Sequence, residues 1–266
     1  MKQMKLAWMT DIHLNFLDDY NIEMFLKSIN QNDFDYLTIS GDISDAIRLI
    51  KHLEFIEKWI KKPVYFVLGN HDFYHGSFED IDEKVRKFCK DKNLIYLTNN
   101  GIFKLSKNTG LIGHNGWADG GYGDYLNSRI DLNDYYKIHD LIGLNKMERL
   151  TIMNKMGKTS SRYLSKMIEN GFEQFNNLIL VTHVSPFKEA CYYKNQISGE
   201  DYLPYYSCKS VGDMIKREMK KRPDKKIMIL CGHTHFAFEK EFGNISIKVG
   251  QSEYRYPKTQ EIINIT

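Results

Sequence analysis

Read for the spacing of its apolar residues, the chain alternates short unbroken apolar runs with stretches of helical period through its first third. Leu6–Met9, Tyr36–Ile39 and Val64–Leu68 are bounded runs of aliphatic and aromatic residues, the pattern of strands buried on both faces. Between them, Tyr20–Asn30 sets Ile22, Phe25, Leu26 and Ile29 on one helical face. A second helix is predicted around Asp45–Lys61, with Ile47, Ile50, Leu53, Ile56 and Ile60 facing inward and Pro63 ending it. A third is predicted from Phe78 to Lys90. The period then changes: Leu94–Leu97, Ile102–Leu105 and Leu111–Ile112, separated by Asn-Asn-Gly and Asn-Thr-Gly, predict a β-meander. Helix returns over Asn145–Asn170 and Val211–Arg222. Strands are predicted at Leu178–Val181, Ile227–Cys231, Ala237–Phe242, Ile245–Val249 and Glu261–Ile265. This order predicts an α/β fold, mixed sheets with helices outside, as a single domain over residues 1–266. The stretch 115–140, rich in Gly, Tyr, Asp and Asn, has no period and is too long for a plain connection. Residues 115–170 are accordingly read as a cap or substrate-specificity insertion.

The candidate chemistry lies at the ends of the apolar runs. Five of the runs lead directly into Asp11-Ile12-His13, Gly41-Asp42, Gly69-Asn70-His71-Asp72, Thr182-His183 and Gly232-His233-Thr234-His235. In sheets of this kind sites form at the carboxyl ends of the strands, which is where all five segments fall. Asp11 and Asp42 offer hard oxygens, Asn70 an amide oxygen, and His13, His183, His233 and His235 imidazole nitrogens. A nitrogen-and-oxygen set without thiolate suits Mn²⁺, Fe or Zn²⁺ better than Mg²⁺ alone. Two ions a few ångströms apart need a bridging carboxylate, and Asp42 is the natural candidate; a bridging hydroxide would then be the nucleophile on a phosphoester. His71, next to Asn70, is placed to protonate the leaving oxygen, and Asp72 is expected to hold the His71 ring in the right tautomer.

Composition narrows the function classes. With 37 basic and 34 acidic residues the net charge is +3, too balanced to argue for nucleic acid as a partner. The four cysteines have no C-x-x-C spacing, so neither a disulfide framework nor a zinc knuckle is expected. The apolar stretch near the N-terminus is too short for a signal-peptide core or a membrane span, and a cytoplasmic protein with no membrane partner is expected.

Asp11-x-His13, Gly41-Asp42, Gly69-Asn70-His71-Asp72, His183 and Gly232-His233-x-His235 together resemble the signature of the calcineurin-like metallophosphoesterase superfamily, in family order. The resemblance implies a four-layer αββα sandwich of two mixed sheets flanked by helices, with a dinuclear metal centre. It implies Asp11, His13, Asp42 and His235 as ligands of one ion, and Asp42, Asn70, His183 and His233 of the other, with His71 as the acid or phosphate contact. Gly41-Asp42-Ile43-Ser44 and Val67-Leu68-Gly69-Asn70 depart from the protein-phosphatase branch, which carries Arg-Gly and Arg at those places. His71 departs from the Gly-Asn-Arg-Asp of the lipid-A-pathway branch. The expected activity is hydrolysis of a small phosphomonoester or phosphodiester, with a nucleotide among the candidate substrates. A nuclease or nucleotide phosphodiesterase, and a non-catalytic scaffold, are the alternatives. Substrate contacts are expected from His114, Trp117 and Arg129, and base stacking from Tyr122, Tyr125, Tyr135 and Tyr136. His52 and His139 are expected at the surface.

Overall fold

The computed structural model describes residues 3–194 and 196–266. Strand β1 (Met4–Met9) leads to helix α1 (Asp19–Ile29), β2 (Tyr36–Ser40) to α2 (Leu49–Trp59), β3 (Val64–Val67) to α3 (Phe78–Cys89), and β4 (Leu94–Tyr96) completes this series. A hairpin of β5 (Phe103–Lys104) and β6 (Thr109–Gly113) follows, then a loop-rich stretch containing the one-turn helix α4 (Asp134–Lys137). The long helix α5 (Lys146–Gln174) leads to β7 (Asn177–Val181). A small hairpin, β8 (Tyr192–Tyr193) and β9 (Gln196–Ile197), and the one-turn α6 (Leu203–Tyr206) precede α7 (Lys209–Lys220). The last strands are β10 (Lys226–Cys231), β11 (Phe238–Phe242), β12 (Ile245–Val249) and β13 (Glu261–Ile265).

The strands form two large sheets. The first has the order β13-β1-β2-β3-β4, with β1 to β4 parallel and β13 antiparallel at the edge. The second has the order β11-β12-β10-β7-β6-β5, its four inner strands parallel and each edge strand antiparallel. Because side chains alternate across a strand, neighbouring residues join different cores. Leu6 and Trp8 of β1, Val67 of β3, Val181 of β7 and Ile263 of β13 pack together between the sheets. Ala7 and Met9, Phe66, and Leu180 instead join Ile22 and Leu26 of α1 and Ile168 of α5 under the helices. Helices α1 and α2 pack together, α3 lies against β4, and α5 packs on α7, β6 and β7. The architecture is the expected four-layer sandwich.

Three expectations are corrected. The stretch from Leu94 to Ile112 is not a meander: β4 pairs parallel with β3 in the first sheet, whereas β5 and β6 belong to the second. Asn99 and Gly101, both at positive φ, turn the chain from one sheet to the other. The second helix starts at Leu49, not near Asp45, so Ile47 lies in a turn and is 73% exposed. His52 is not a surface residue; it is 2% exposed, its Nδ1 2.7 Å from Ser44 Oγ. His139 is exposed. Among the described residues, no helix is long and apolar enough to cross a membrane.

Candidate metal centre

The five segments expected to carry ligands meet at the carboxyl ends of β1, β2, β3, β7 and β10. Backbone bonds lash their loops together: Asp11 N donates to Gly41 O (3.0 Å), His13 N to Asp42 O (3.0 Å) and Gly232 N to His183 O (3.0 Å). The turns are tight. Asp11, His13, Asp42, His233 and His235 all adopt positive φ, which costs L-residues energy and persists only where surrounding structure enforces it. A Cβ at Gly69 would collide with Asp42 Oδ1 and one at Gly232 with Asp11 Oδ2, so both loops approach the carboxylates as bare backbone.

The side chains converge in two clusters that share Asp42. In the first, one donor atom from each of Asp11, His13, Asp42 and His235 lies within 4.8 Å of the others. His235 Nε2 is 3.2 Å from Asp11 Oδ1 and 3.2 Å from His13 Nε2, and His13 Nε2 is 3.8 Å from Asp42 Oδ2. In the second, Asn70 Oδ1 is 3.2 Å from His183 Nε2 and 3.0 Å from His233 Nδ1, and His183 Nε2 is 3.4 Å from Asp42 Oδ1. One oxygen of Asp42 therefore faces each cluster. His183 Nδ1 and His233 Nε2 are engaged by the Ser40 and Tyr205 carbonyls, which leaves the opposite nitrogen of each ring for the cluster.

Electrostatics fits this set to cations. Burial works against charge on Asp11 and Asp42, yet the His235 bond and the neighbouring imidazoles hold Asp11 down at about 2, and His183 and His71 hold Asp42 well below the usual carboxylate range. Burial pushes His13 and His233 down to about 4, leaving them neutral with lone pairs to offer. His183 is raised to about 10 against its burial by Asp42, and His235 is raised likewise by Asp11. Two buried carboxylates thus draw positive charge onto adjacent imidazoles, a demand that divalent ions would satisfy. His13 Nδ1 is buried with no partner among the described residues.

A cavity of about 640 Å³ opens onto both clusters, with Asp42, Asn70, His71, His233 and His235 at its floor. His71 stacks on Tyr74 (ring centroids 4.4 Å), its Nε2 4.0 Å from Asp42 Oδ2. Tyr254 leans over the floor, its ring centroid 4.7 Å from His13 and 5.3 Å from His235. Asp72 does not orient His71 as expected. It is fully buried, and its two oxygens accept from Ser44 N (2.7 Å) and Gly69 N (2.8 Å), stapling the second and third loops. Burial, reinforced by Asp42, pushes its carboxyl up to about 8.

His114, Trp117 and Arg129 do not line the cavity. His114 is buried beside Tyr163 with its Nδ1 taken by Gly116 N (3.0 Å), Trp117 packs against Phe73 and Phe78, and Arg129 is exposed elsewhere. Tyr122, Tyr125, Tyr135 and Tyr136 are also absent from its walls. The stretch 115–140 reaches the cavity instead through Leu132, Asn133 and Asp134, none of them expected as site residues. Asp134 Oδ1 accepts from Asn70 Nδ2 (2.9 Å) and Tyr74 OH (2.7 Å). Tyr192, Tyr193, Gln196, Ser198, Gly199, Tyr202 and Tyr206, from another segment without period, add a second part of the wall, and Phe236 and Tyr254 a third; the density of tyrosines was the sequence signal of the second part.

The family model for calcineurin-like phosphoesterases matches residues 4–237. Among solved structures, the phosphopantetheinyl hydrolase of Mycobacterium tuberculosis superposes with a TM-score of 0.72 at 12% identity, covering 99% of this chain and 96% of that one. A dimetal phosphatase from Danio rerio matches with a TM-score of 0.58 at 9% identity, over 94% of this chain and 87% of that one. TT1561 of Thermus thermophilus matches with a TM-score of 0.58 at 10% identity, over 94% and 90%. At these identities the likeness is one of fold. Comparison with curated protein sequences gives no match.

Proposed function

The chain belongs to the calcineurin-like phosphoesterase family, and from that premise we propose that it hydrolyses a small-molecule phosphoester at a dinuclear metal centre. The observation that carries this reading is the single carboxylate of Asp42, with Oδ2 toward His13 and Oδ1 toward His183. Asp11, His13, Asp42 and His235 would hold one divalent ion, and Asp42, Asn70, His183 and His233 the other, with Mn²⁺, Fe or Zn²⁺ favoured by the nitrogen-rich donors and Mg²⁺ less so. Such ions supply neutralisation of the phosphoryl oxygens and an acidified water for in-line attack. The chain's own residues do the rest. His71 Nε2, at the cavity floor, donates a proton to the departing oxygen. Tyr254 covers the floor from the solvent side, and Asp72 keeps the Asp42 and Asn70 loops in register through their backbone amides.

The test compares p-nitrophenyl phosphate with bis(p-nitrophenyl) phosphate under Mn²⁺, Zn²⁺, Fe²⁺ and Mg²⁺. Asp42→Asn is expected to lower kcat/KM about a hundredfold or more, with an unchanged circular-dichroism spectrum. Hydrolysis untouched by both Asp42→Asn and a chelator would overturn the reading. A nuclease is disfavoured because, among the described residues, the cavity lining includes no Lys or Arg to follow a phosphate backbone.

A further inference from the structure

Beyond the metal ligands, the cavity is walled by Tyr192, Tyr193, Tyr202, Tyr206 and Phe236, with Asn133, Gln196 and Ser198 between them. These side chains come from three places: the loop before α4, the β8–β9 hairpin with the turn into α6, and the segment after His235. They offer π-faces and uncharged hydrogen-bonding groups. The carboxylates among the lining residues are Asp42 and Asp134. Two lysines lie near wall tyrosines, Lys137 Nζ at 5.0 Å from the Tyr74 ring centroid and Lys194 Nζ at 5.2 Å from that of Tyr193. Each meets the face of a wall tyrosine, and neither lysine is among the lining residues.

An anionic group in this chamber would lose hydration, sit near Asp134, and find no guanidinium or ammonium among the described lining residues to pair with. An aromatic ring or uncharged polar group would find stacking partners and amide or hydroxyl contacts. We infer that the substrate is an ester whose only anionic group is the reacting phosphate, carried on an uncharged arm with a ring or similar flat apolar face. A nucleoside monophosphate falls within this class; nucleoside polyphosphates, bisphosphates and phosphorylated carboxylates fall outside it. The inference rests on the phosphoesterase reading above for the placement of the phosphate, and on the chamber alone for the nature of the arm.

Two near-isosteric esters separate charge from shape: 4-carbamoylphenyl phosphate and 4-carboxyphenyl phosphate. With Mn²⁺ present, the carboxamide is expected to give kcat/KM at least about tenfold above the carboxylate, the size of one modest unpaired-charge penalty. Gln196→Arg, which adds a cation to the wall, is expected to narrow that ratio. Tyr202→Ala should raise KM for 1-naphthyl phosphate roughly threefold to tenfold more than it raises that for methyl phosphate, because only the naphthyl arm stacks. The same pair is also titrated calorimetrically, so a protein that hydrolyses neither ester still reports. Tighter binding of the carboxamide upholds the chamber inference even if the hydrolase reading falls. Equal turnover and equal binding of the two esters, or a carboxylate preference, overturns it.

Discussion

Asp134 is the residue whose consequences are easiest to isolate, because its contacts are few and defined. Its Oδ1 accepts from Asn70 Nδ2 and Tyr74 OH, which fixes the Asn70 amide so that Oδ1 points at His183 and His233. Without that anchor the amide can flip and present its NH₂ to the second cluster. Asp134→Ala is therefore expected to weaken the second of two Mn²⁺ binding events about 10- to 100-fold and to leave the first intact. Asp134→Asn, which retains an acceptor oxygen, should restore most of it. Calorimetric titration of Mn²⁺ checks this, and two unchanged binding events in the alanine variant would refute it. His52 makes a different prediction. Burial holds it at about 4 in the folded chain against 6.5 in the unfolded one. Between those values only the unfolded state takes the proton, so its contribution is complete above about pH 6.5 and declines as the pH falls toward 4. Urea unfolding at pH 7 and pH 4.5 should show the wild type losing roughly 2 kcal/mol more than His52→Gln. Neither residue announced itself in the sequence. A histidine in the middle of an amphipathic helix looks like any other polar position, and Asp134 lies 64 residues from the asparagine it anchors.

At the level of elements, what was legible depends on which forces are local. The parallel strands were readable because burial on both faces demands continuous apolar runs, and β3 is buried at every position. The candidate ligand loops were readable for the same reason, since they begin where those runs stop. Pairing partners were not. An Asn-Asn-Gly turn reports that the chain bends at residues 99–101, but not that it crosses from β4 in one sheet to β5 in the other. One helix start was misplaced, at Ile47, where the helix has no side-chain cap and Asp45 Oδ1 accepts from Arg48 N (3.0 Å) in the turn before it. Where the cap is strong the boundary was close: Asn145 Oδ1 accepts from Met147 N and Glu148 N, and Glu148 Oε2 accepts from Asn145 N. This capping box opens the 29-residue helix α5, and Asn145→Ala should lower global stability by about 1 kcal/mol. Because Asn145 does not line the cavity, kcat should not change. An unshifted urea midpoint would show that the tertiary packing of α5, not its cap, sets this end of the helix.

For the molecule as a whole, the division of the proposed ligands between sheets matters most. Asp11, His13, Asp42 and Asn70 come after strands of the first sheet, whereas His183, His233 and His235 come after strands of the second. Each cluster therefore joins donors from both halves of the sandwich, whose sheets otherwise meet through the apolar layer around Trp8 and Val181. Ions bound there would tie the sheets together in the native state and would have no comparable site in the unfolded chain. Binding then stabilises folding by mass action, by about 2.7 kcal/mol for one ion at a free concentration a hundred times its Kd. For a domain of this length that corresponds to a rise in Tm of roughly 5–10 °C from chelator to saturating Mn²⁺. Asp42→Asn touches both clusters and should abolish most of the rise. Asn145→Ala should lower Tm under both conditions and preserve the difference, which separates loss of ion binding from loss of fold. A Tm that is the same in chelator and in Mn²⁺ for the wild-type chain would mean that no ion is held between the sheets, and the proposed assignment of the seven ligands would fall with it.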